Sequence, residues 1–350
     1  MKFTQLGNSD IRVSRVCLGS MTWGMQNTQE DANRQLEYAL SQGINFIDTA
    51  EMYAIPPTAQ TCGTTETLIG NWLGENPGRR KELILATKIT GSGLPWIRHG
   101  GPITGAAVIA AVDASLKRLQ TDYIDLYQLH WPNRTSPHFG KHFPNQFKFS
   151  EFDVRQEEAQ MLDILQGLAS CIKAGKIRHC GLSDDTPWGI NTYLKLSEKY
   201  DLPRMLSIQN EFSLLHAKDW PYLIENCVHE HLAYLPWSPL AGGMLSGKYL
   251  NGERPAGSRW TLMQRNGLFR DTPLANSATA AYVEIANTYG YTPSQLALAW
   301  CDQVEGVTST IIGATSIAQL QENISAFSMP LSQAALSDIN SVFKRYPLPF

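Results

Sequence analysis

The chain has 350 residues, in which 29 Lys and Arg stand against 32 Asp and Glu for a net charge of −3 with neutral histidines. That balance creates no global field for a phosphate backbone and argues against nucleic acid as a partner. A hydrophobic share of 43% against 17% charged excludes a disordered chain, while length alone admits two domains or one large barrel.

Met1-Lys2-Phe3-Thr4-Gln5 leads straight into strand-like sequence with no apolar signal core. Two alternating runs, 3–6 and 11–13, flank the turn-rich Gly7-Asn8-Ser9-Asp10 and predict a small hairpin. From Val16-Cys17-Leu18 onward, short β-branched or apolar runs alternate with segments of helical period, the signature of repeated βα units and a parallel sheet. Strands are expected near 15–18, 45–48, 83–88, 124–130, 177–182, 206–209, 233–237 and 310–312. Helices are expected over 31–41, 65–73, 106–119, 160–173, 190–198, 219–228, 278–289, 293–302 and 317–325. Thr28 with Asp31 three residues later, Pro293 after Thr292, and Gly43 and Gly175 just past helix ends supply the boundaries. Nowhere do about twenty consecutive apolar residues occur, so no membrane span is expected. Cys17, Cys62, Cys171, Cys180, Cys227 and Cys301 form no CxxC pair, which suggests neither a zinc site nor a disulfide framework and points to a reducing, cytoplasmic location.

Eight strand–helix units predict an α/β fold of the (β/α)8 TIM-barrel type, with the hairpin before it and long βα loops. An open doubly wound sheet shares the local pattern but wants G-x-G-x-x-G at its first strand–helix junction. That junction reads Gly19-Ser20-Met21-Thr22-Trp23-Gly24, and Gly91-Ser92-Gly93-Leu94-Pro95-Trp96 lacks the third glycine. No repeat, charge block or linker interrupts residues 1–350, so a single domain is expected. Irregular insertions stand out at 54–64, 90–105, 131–155 and 238–272, and three of them follow strand ends, where a barrel builds its active site.

Three successive expected strands end in polar residues: Asp48, Lys88 and His130. All three share one barrel face, and Tyr53 follows Asp48 closely enough for the loop to return its phenol over the mouth. A phenol titrates near pH 10 and becomes a useful proton carrier near neutrality when a cation stabilises its phenolate. Lys88 supplies such a charge, Asp48 a partner that a buried ammonium needs, and His130 a ring N–H for a carbonyl oxygen. Each residue taken singly has a structural explanation: a cap, a snorkelling lysine, a packed ring, a core histidine. Their fall on consecutive strand ends favours chemistry.

Here the sequence resembles the aldo-keto reductase superfamily, in Gly43-Ile44-Asn45-Phe46-Ile47-Asp48-Thr49-Ala50-Glu51-Met52-Tyr53, Thr87-Lys88, Ser115-Leu116-Lys117-Arg118-Leu119, Asp122-Tyr123-Ile124-Asp125-Leu126-Tyr127-Gln128-Leu129-His130-Trp131 and Gly175-Lys176-Ile177-Arg178. The likeness runs in register from Gly7 to about Asn323. Within the superfamily it is most similar to bacterial Tas-type reductases and, more distantly, to potassium-channel β subunits, through Ile55-Pro56-Pro57 after Tyr53 and Trp237-Ser238-Pro239-Leu240.

The resemblance implies an NADPH-dependent reductase of aldehydes or ketones. Asp48, Tyr53, Lys88 and His130 match the four catalytic positions, with Tyr53 as general acid, Lys88 depressing its pKa, Asp48 anchoring Lys88 and His130 orienting the carbonyl. It also implies cofactor contacts from Ser20, Met21, Gln26 and Asp48. Ser183, Asp184 and Gln209 fall where the nicotinamide carboxamide is held, and Asp184 stands where the family usually has asparagine. A carboxylate only accepts hydrogen bonds, and its charge favours the oxidised, cationic ring; the alternative for Asp184 is a turn to solvent or a cap on the helix near Pro187. Trp237, Ser238, Pro239, Leu240, Ala241 and Gly243 match the segment around the pyrophosphate, with Lys248, Ser258 and Arg259 supplying charge and hydrogen bonds; otherwise this glycine-rich loop is simply flexible. Gly313 leads into an anion-binding helix N-terminus, where Thr315, Gln319, Glu322 and Asn323 match positions around the 2′-phosphate ribose and adenine. With Gln319 uncharged, Lys248 and Arg259 carry the NADP preference. Trp23, Trp96, Trp131 and Trp260 lie at or beyond strand ends; with Tyr53 and His130, the first three are candidate walls of a substrate pocket.

Two rival functions remain open. A nucleotide-sensing subunit binds NADP(H) but turns over slowly, and the channel subunits often lack the histidine that His130 supplies here. A metal-dependent hydrolase needs clustered ligands, but only Asp48 and His130 qualify, with a cation-repelling lysine between them. The expected partner is a small carbonyl compound, and the sequence leaves the oligomeric state open.

Overall fold

The computed structural model describes residues 1–262 and 268–350; residues 263–267, within the 238–272 insertion, lie outside the described residues. Strands β1 (Phe3–Gln5) and β2 (Arg12–Ser14) pair antiparallel as the expected hairpin. Eight parallel strands follow: β3 (Val16–Gly19), β4 (Phe46–Asp48), β5 (Ile84–Ile89), β6 (Ile124–Leu129), β7 (Ile177–Ser183), β8 (Met205–Gln209), β9 (Ala233–Tyr234) and β10 (Thr310–Ile312). From β3 to β9 each strand lies beside the next in sequence, and β10 returns beside β3. Thr308 N donates to Tyr234 O and Ile311 N to Pro236 O, both at 2.9 Å, which joins the two edges into a cylinder. The helices are α1 (Gln29–Ser41), α2 (Thr64–Glu75), α3 (Gly105–Leu119), α4 (Val154–Lys173), α5 (Pro187–Tyr200), α6 (Tyr222–His229), α7 (Arg259–Leu262), α8 (Pro273–Tyr289), α9 (Pro293–Gln303), α10 (Ile317–Ser325) and α11 (Gln333–Arg345). The fold is a (β/α)8 barrel. No helix among the described residues is long and apolar enough to cross a membrane.

Local chemistry explains the boundaries and the departures from expectation. Thr28 and Thr292 each close a capping box, with Asp31 and Gln295 respectively. Helix α4 starts six residues before the expected point because the Asp153 carboxylate caps Arg155 N and Gln156 N, at 3.0 and 3.2 Å, ahead of a first turn too polar to show a period. Helix α11 is absent from the expected set, although Ser332 caps Ala335 N and Ala335, Ile339 and Val342 form a buried stripe. Strand β9 is two residues long because Pro236 has no N–H to extend the ladder.

Strand alternation divides the core in two. Cys17, Phe46, Ala86, Leu126, Leu206, Ala233, Leu235 and Ile311 fill the barrel, and Leu6, Ile11 and Val13 of the hairpin segment plug one end. Leu18, Ile47, Leu85, Tyr127 and Leu129 face outward against the helices. With a side-chain period of two, the residues after Phe46, Ala86 and Leu126 on the inward face are Asp48, Lys88 and Gln128, then His130. The site therefore stands directly on the barrel core.

Candidate active site

Parallel registry brings the polar strand ends together: Asp48 pairs with Ala86 across β4–β5, and Lys88 with Gln128 across β5–β6. Lys88 Nζ donates to Asp48 Oδ2 at 2.6 Å and to Thr49 O at 2.8 Å. Asp48 Oδ1 accepts from Gln209 Nε2 at 2.9 Å and Gln128 Nε2 at 3.3 Å, and Gln209 Nε2 also reaches Gln128 Oε1 at 3.1 Å. The Tyr53 ring centroid lies 5.0 Å from Lys88 Nζ, and His130 meets that ring edge-on at 5.6 Å. His130 Nδ1 is buried without a hydrogen-bond partner among the described residues.

Burial and the ion pair set the protonation states. Burial would lower the Lys88 pKa, but the Asp48 charge and then Tyr53 overcome it and hold the ammonium above its ordinary value. Burial pushes the Tyr53 phenol above its ordinary value despite the downward pull of Lys88, so the net direction differs from the depression expected from sequence. His130 is held well below the ordinary histidine value by burial and then by Lys88, which leaves a neutral ring. The result is a protonated phenol, an ammonium and a neutral imidazole.

Ser183 Oγ donates to Gln209 O at 2.8 Å, and Asp184 N to the same oxygen at 3.1 Å. Asp184 neither faces solvent nor caps α5, whose cap is Thr186. It is 1% exposed, accepts from Trp237 Nε1 at 3.1 Å, lies 3.3 Å from His138 Nδ1, and burial raises its carboxyl pKa well above the ordinary value.

The segment after β9 is folded, with Met244 and Leu245 buried. Ser238, Ala241, Gly242 and Gly243 take positive φ, which turns the backbone into a concavity. A Cβ at Gly242 would sit 3.5 Å from Arg259 Nη1, 3.7 Å from Trp260 Nε1 and 3.8 Å from Arg270 Nη1; one at Gly243 would sit 3.2 Å from Lys248 Nζ. Trp260 Nε1 is buried without a partner among the described residues, and its ring stacks on Tyr249 at 4.1 Å. Pro239 and Leu240 precede this turn, and Gly243 N donates to Leu240 O at 2.8 Å. A glycine-lined hollow with converging cations and an orphaned indole N–H fits an anionic group such as a dinucleotide pyrophosphate.

Other residues implied by the resemblance join the two ends of this cleft. Ser20 Oγ donates to Asp48 O at 2.7 Å, Arg259 Nη2 contacts Met21 Sδ at 2.9 Å, and Gln26 Nε2 reaches Gly257 O at 3.4 Å, next to Ser258. Gly313 is exposed ahead of α10, and Asn323 Nδ2 donates to its carbonyl at 3.1 Å. Gln319 accepts from Thr315 N and Oγ1, both at 3.0 Å, while Glu322 accepts from Thr292 Oγ1 at 2.6 Å.

The tryptophans separate. Trp23 is 1% exposed in the core and donates to Gln35 at 3.1 Å, so it packs beneath the mouth rather than lining it; Trp260 belongs to the glycine-rich hollow. Trp131 lies 5.0 Å from His130 and donates to Ser92 O at 3.1 Å, and Trp96 is 41% exposed on the neighbouring loop. Sequence reasoning passed over Gln128, although it lies two residues before His130 on the same strand face. It also passed over Glu51, which accepts from Arg98 Nη1 at 2.7 Å and Thr90 N at 2.8 Å and so ties the Tyr53 loop to the Trp96 loop.

Residues 15–344 match the aldo/keto reductase family, and the chain belongs to that family. It is 42% identical to Protein tas of Escherichia coli (strain K12) over 352 residues, covering 100% of this chain and 99% of that protein. It is 37% identical over 259 residues to an aldo-keto reductase of Babesia bovis, covering 71% and 90% of the two chains, and 29% identical over 349 residues to the uncharacterized oxidoreductase YrpG of Bacillus subtilis, covering 98% and 96%.

Proposed function

We propose that the protein is an NADP(H)-dependent oxidoreductase that reduces the carbonyl of aldehydes or ketones. The observation that carries this reading is one constellation: the Lys88 ammonium, 2.6 Å from Asp48 and 5.0 Å from the Tyr53 ring, with neutral His130 at 5.6 Å from that ring. Family membership supports oxidoreductase chemistry. Lys248, Arg259 and the turn through Gly242 and Gly243 would hold the pyrophosphate, and Ser183, Asp184, Gln209 and Trp237 the nicotinamide end. The exposed Gly313 and Thr315 ahead of α10, with Gln319 and Asn323, would take the adenosine end, where Glu322 is tied to Thr292. When bound, the reduced nicotinamide supplies a hydride to the carbonyl carbon.

The chain's own residues manage the oxygen. Tyr53 gives its phenolic proton to the carbonyl oxygen as negative charge builds there, yielding the alcohol and a tyrosinate. Lys88 stabilises that tyrosinate until solvent returns the proton, and Asp48 keeps Lys88 charged and aimed. A neutral His130 donates one ring N–H to the same oxygen and fixes the carbonyl face. Gln128 and Gln209 hold Asp48. Six free cysteines fit a reducing, cytoplasmic setting.

The test is absorbance at the reduced-nicotinamide band, with NADPH or NADH and a panel of aromatic and aliphatic aldehydes. Aldehyde-dependent loss of NADPH absorbance, abolished by Tyr53→Phe, is expected. Binding without turnover across the panel replaces this reading with a nucleotide-sensing subunit, and unchanged turnover in Tyr53→Phe removes Tyr53 from its role.

A further inference from the structure

Pro349 and Phe350 lie at the barrel mouth, beyond the helix that leads to them. Helix α11 ends at Arg345 and packs on α8 and α9 through Phe343, whose ring lies 6.1 Å from Tyr282 and 5.3 Å from Trp300. The chain then runs out through Leu348, 47% exposed, and returns to bury Phe350 at 7%. His142 Nε2, from the loop after β6, donates to the Phe350 main-chain oxygen at 2.8 Å, and Thr272 Oγ1 donates to Pro349 O.

The Phe350 ring joins segments that only the barrel brings together. It stacks on His216, from the loop after β8, at 5.7 Å and meets Phe269 edge-on at 5.8 Å, with the Arg270 guanidinium also 5.8 Å away. Phe269 and Arg270 belong to a turn at 268–272, closed by Asp271 N donating to Leu268 O at 2.9 Å. That turn is the far end of the 238–272 insertion, whose near end forms the glycine-rich hollow.

Two ion pairs carry the position of the turn into the hollow. Arg270 Nε and Nη2 both donate to Glu211 Oε1, at 2.7 and 2.5 Å, with side chains 4% and 2% exposed. Arg270 Nη1 is left over, 3.8 Å from the Cβ position of Gly242. Asp271 pairs with Arg254, whose guanidinium lies 5.2 Å from the Trp260 ring. An ion pair at the depth of Arg270 and Glu211 is strong while water is excluded. The Phe269 ring, 4.3 Å from the Arg270 guanidinium, and the Phe350 ring supply that cover.

Release of a dinucleotide from the hollow requires one wall to move, and loop movements of this kind set turnover in many enzymes. The wall that carries Arg270 is fastened by Glu211 on one side and by Phe350 on the other. We propose that Phe350 is a positioning residue for the cofactor: it clasps the 268–272 turn shut, keeps Arg270 on the phosphates and so slows release of the dinucleotide. This assignment rests on the nicotinamide-cofactor reading above.

Stopped-flow fluorescence of the full chain, loaded with NADPH and chased with excess NADP⁺, reads the release rate. Phe350→Ala is expected to raise it at least tenfold, and to raise NADH release by the same factor, because both cofactors share the pyrophosphate. Phe350→Leu, which restores apolar cover, should return the rate to within threefold of wild type. His142→Phe removes the main-chain tie, leaves the Phe350 ring in place and should raise the rate at least threefold; it reads the clasp if Phe350→Ala does not fold. In a Glu211→Gln/Arg270→Gln chain, whose pair is neutral, release is already fast and Phe350→Ala should add less than twofold. A merely structural role gives the same acceleration with or without Arg270. Wild-type release rates in Phe350→Ala, or in His142→Phe where that variant alone folds, overturn the proposal, as does full acceleration in the Gln/Gln chain. A wild type that binds neither cofactor overturns the cofactor reading, and this assignment with it.

Discussion

Lys88 Nζ and Asp48 Oδ2 lie 2.6 Å apart, with side chains 0% and 4% exposed. Neither charge would be tolerated at this depth alone, since removing an ion from water costs several kcal/mol unless a partner and further hydrogen bonds replace the hydration. Thr49 O, Gln209 and Gln128 supply those bonds. The pair is thus an anchored charge beside the Tyr53 ring.

Asp48→Asn leaves the Lys88 ammonium buried and uncompensated, and is expected to cost about 3–5 kcal/mol of stability. Urea midpoints measure this. Lys88 binds its proton more tightly folded than unfolded, so its contribution is complete below the ordinary lysine pKa of about 10.4 and falls as pH rises through the higher folded value. Without Asp48, burial lowers the Lys88 pKa in the variant, which then regains stability as rising pH discharges the amine, so the wild-type advantage over the variant should shrink steadily as pH rises.

Tyr53→Phe should lower carbonyl reduction about 10²- to 10⁴-fold while sparing NADPH binding, measured by fluorescence titration. With the Tyr53 pKa raised and that of His130 depressed, reduction at saturating substrate should show no histidine limb near pH 6.5 and no tyrosine limb below about 10. A limb near neutrality would assign the proton to another group.

Arg259 has no carboxylate partner among the described residues, and burial pushes its pKa down to about 10. Arg259→Ala is expected to weaken NADPH at least tenfold and NADH less. Equal losses would show that Arg259 does not read the 2′-phosphate.

Asp184→Asn removes a buried carboxyl beside Trp237. Because the Asp184 pKa is raised, its charge emerges only as pH climbs, so the wild type should favour the oxidised cofactor increasingly with pH. The variant's ratio of NADP⁺ to NADPH dissociation constants should be pH-independent, as measured by calorimetric titration at pH 6 and 9.

A Cβ at Gly91 would lie 2.1 Å from Trp131 Nε1, and the rigid indole cannot yield there without leaving Ser92 O. Gly91→Ala should cost about 1–3 kcal/mol and raise KM for aromatic aldehydes more than it lowers kcat. Thermal unfolding and steady-state rates check both parts.

The sequence by itself determined the eight-unit barrel and the polar ends of β4, β5 and β6, because the period of two along a strand and the caps at Thr28 and Thr292 are local properties of the chain. It also determined that Asp48, Lys88 and His130 share a face, since that follows from their offsets to Phe46, Ala86 and Leu126. Helix α11 escaped although Ser332 and its apolar stripe are legible; its buried face becomes necessary only once α8 and α9 need cover.

Only the tertiary structure decided the net direction of the Tyr53 pKa, the burial of Asp184 against Trp237 and His138, and the placement of Trp23 in the core rather than at the mouth. Each depends on what other loops bring to the same point: Lys88 against the surrounding packing, His138 from the loop after β6, Gln35 from α1. Burial and field are sums over neighbours distant in sequence, and no local period or propensity carries them.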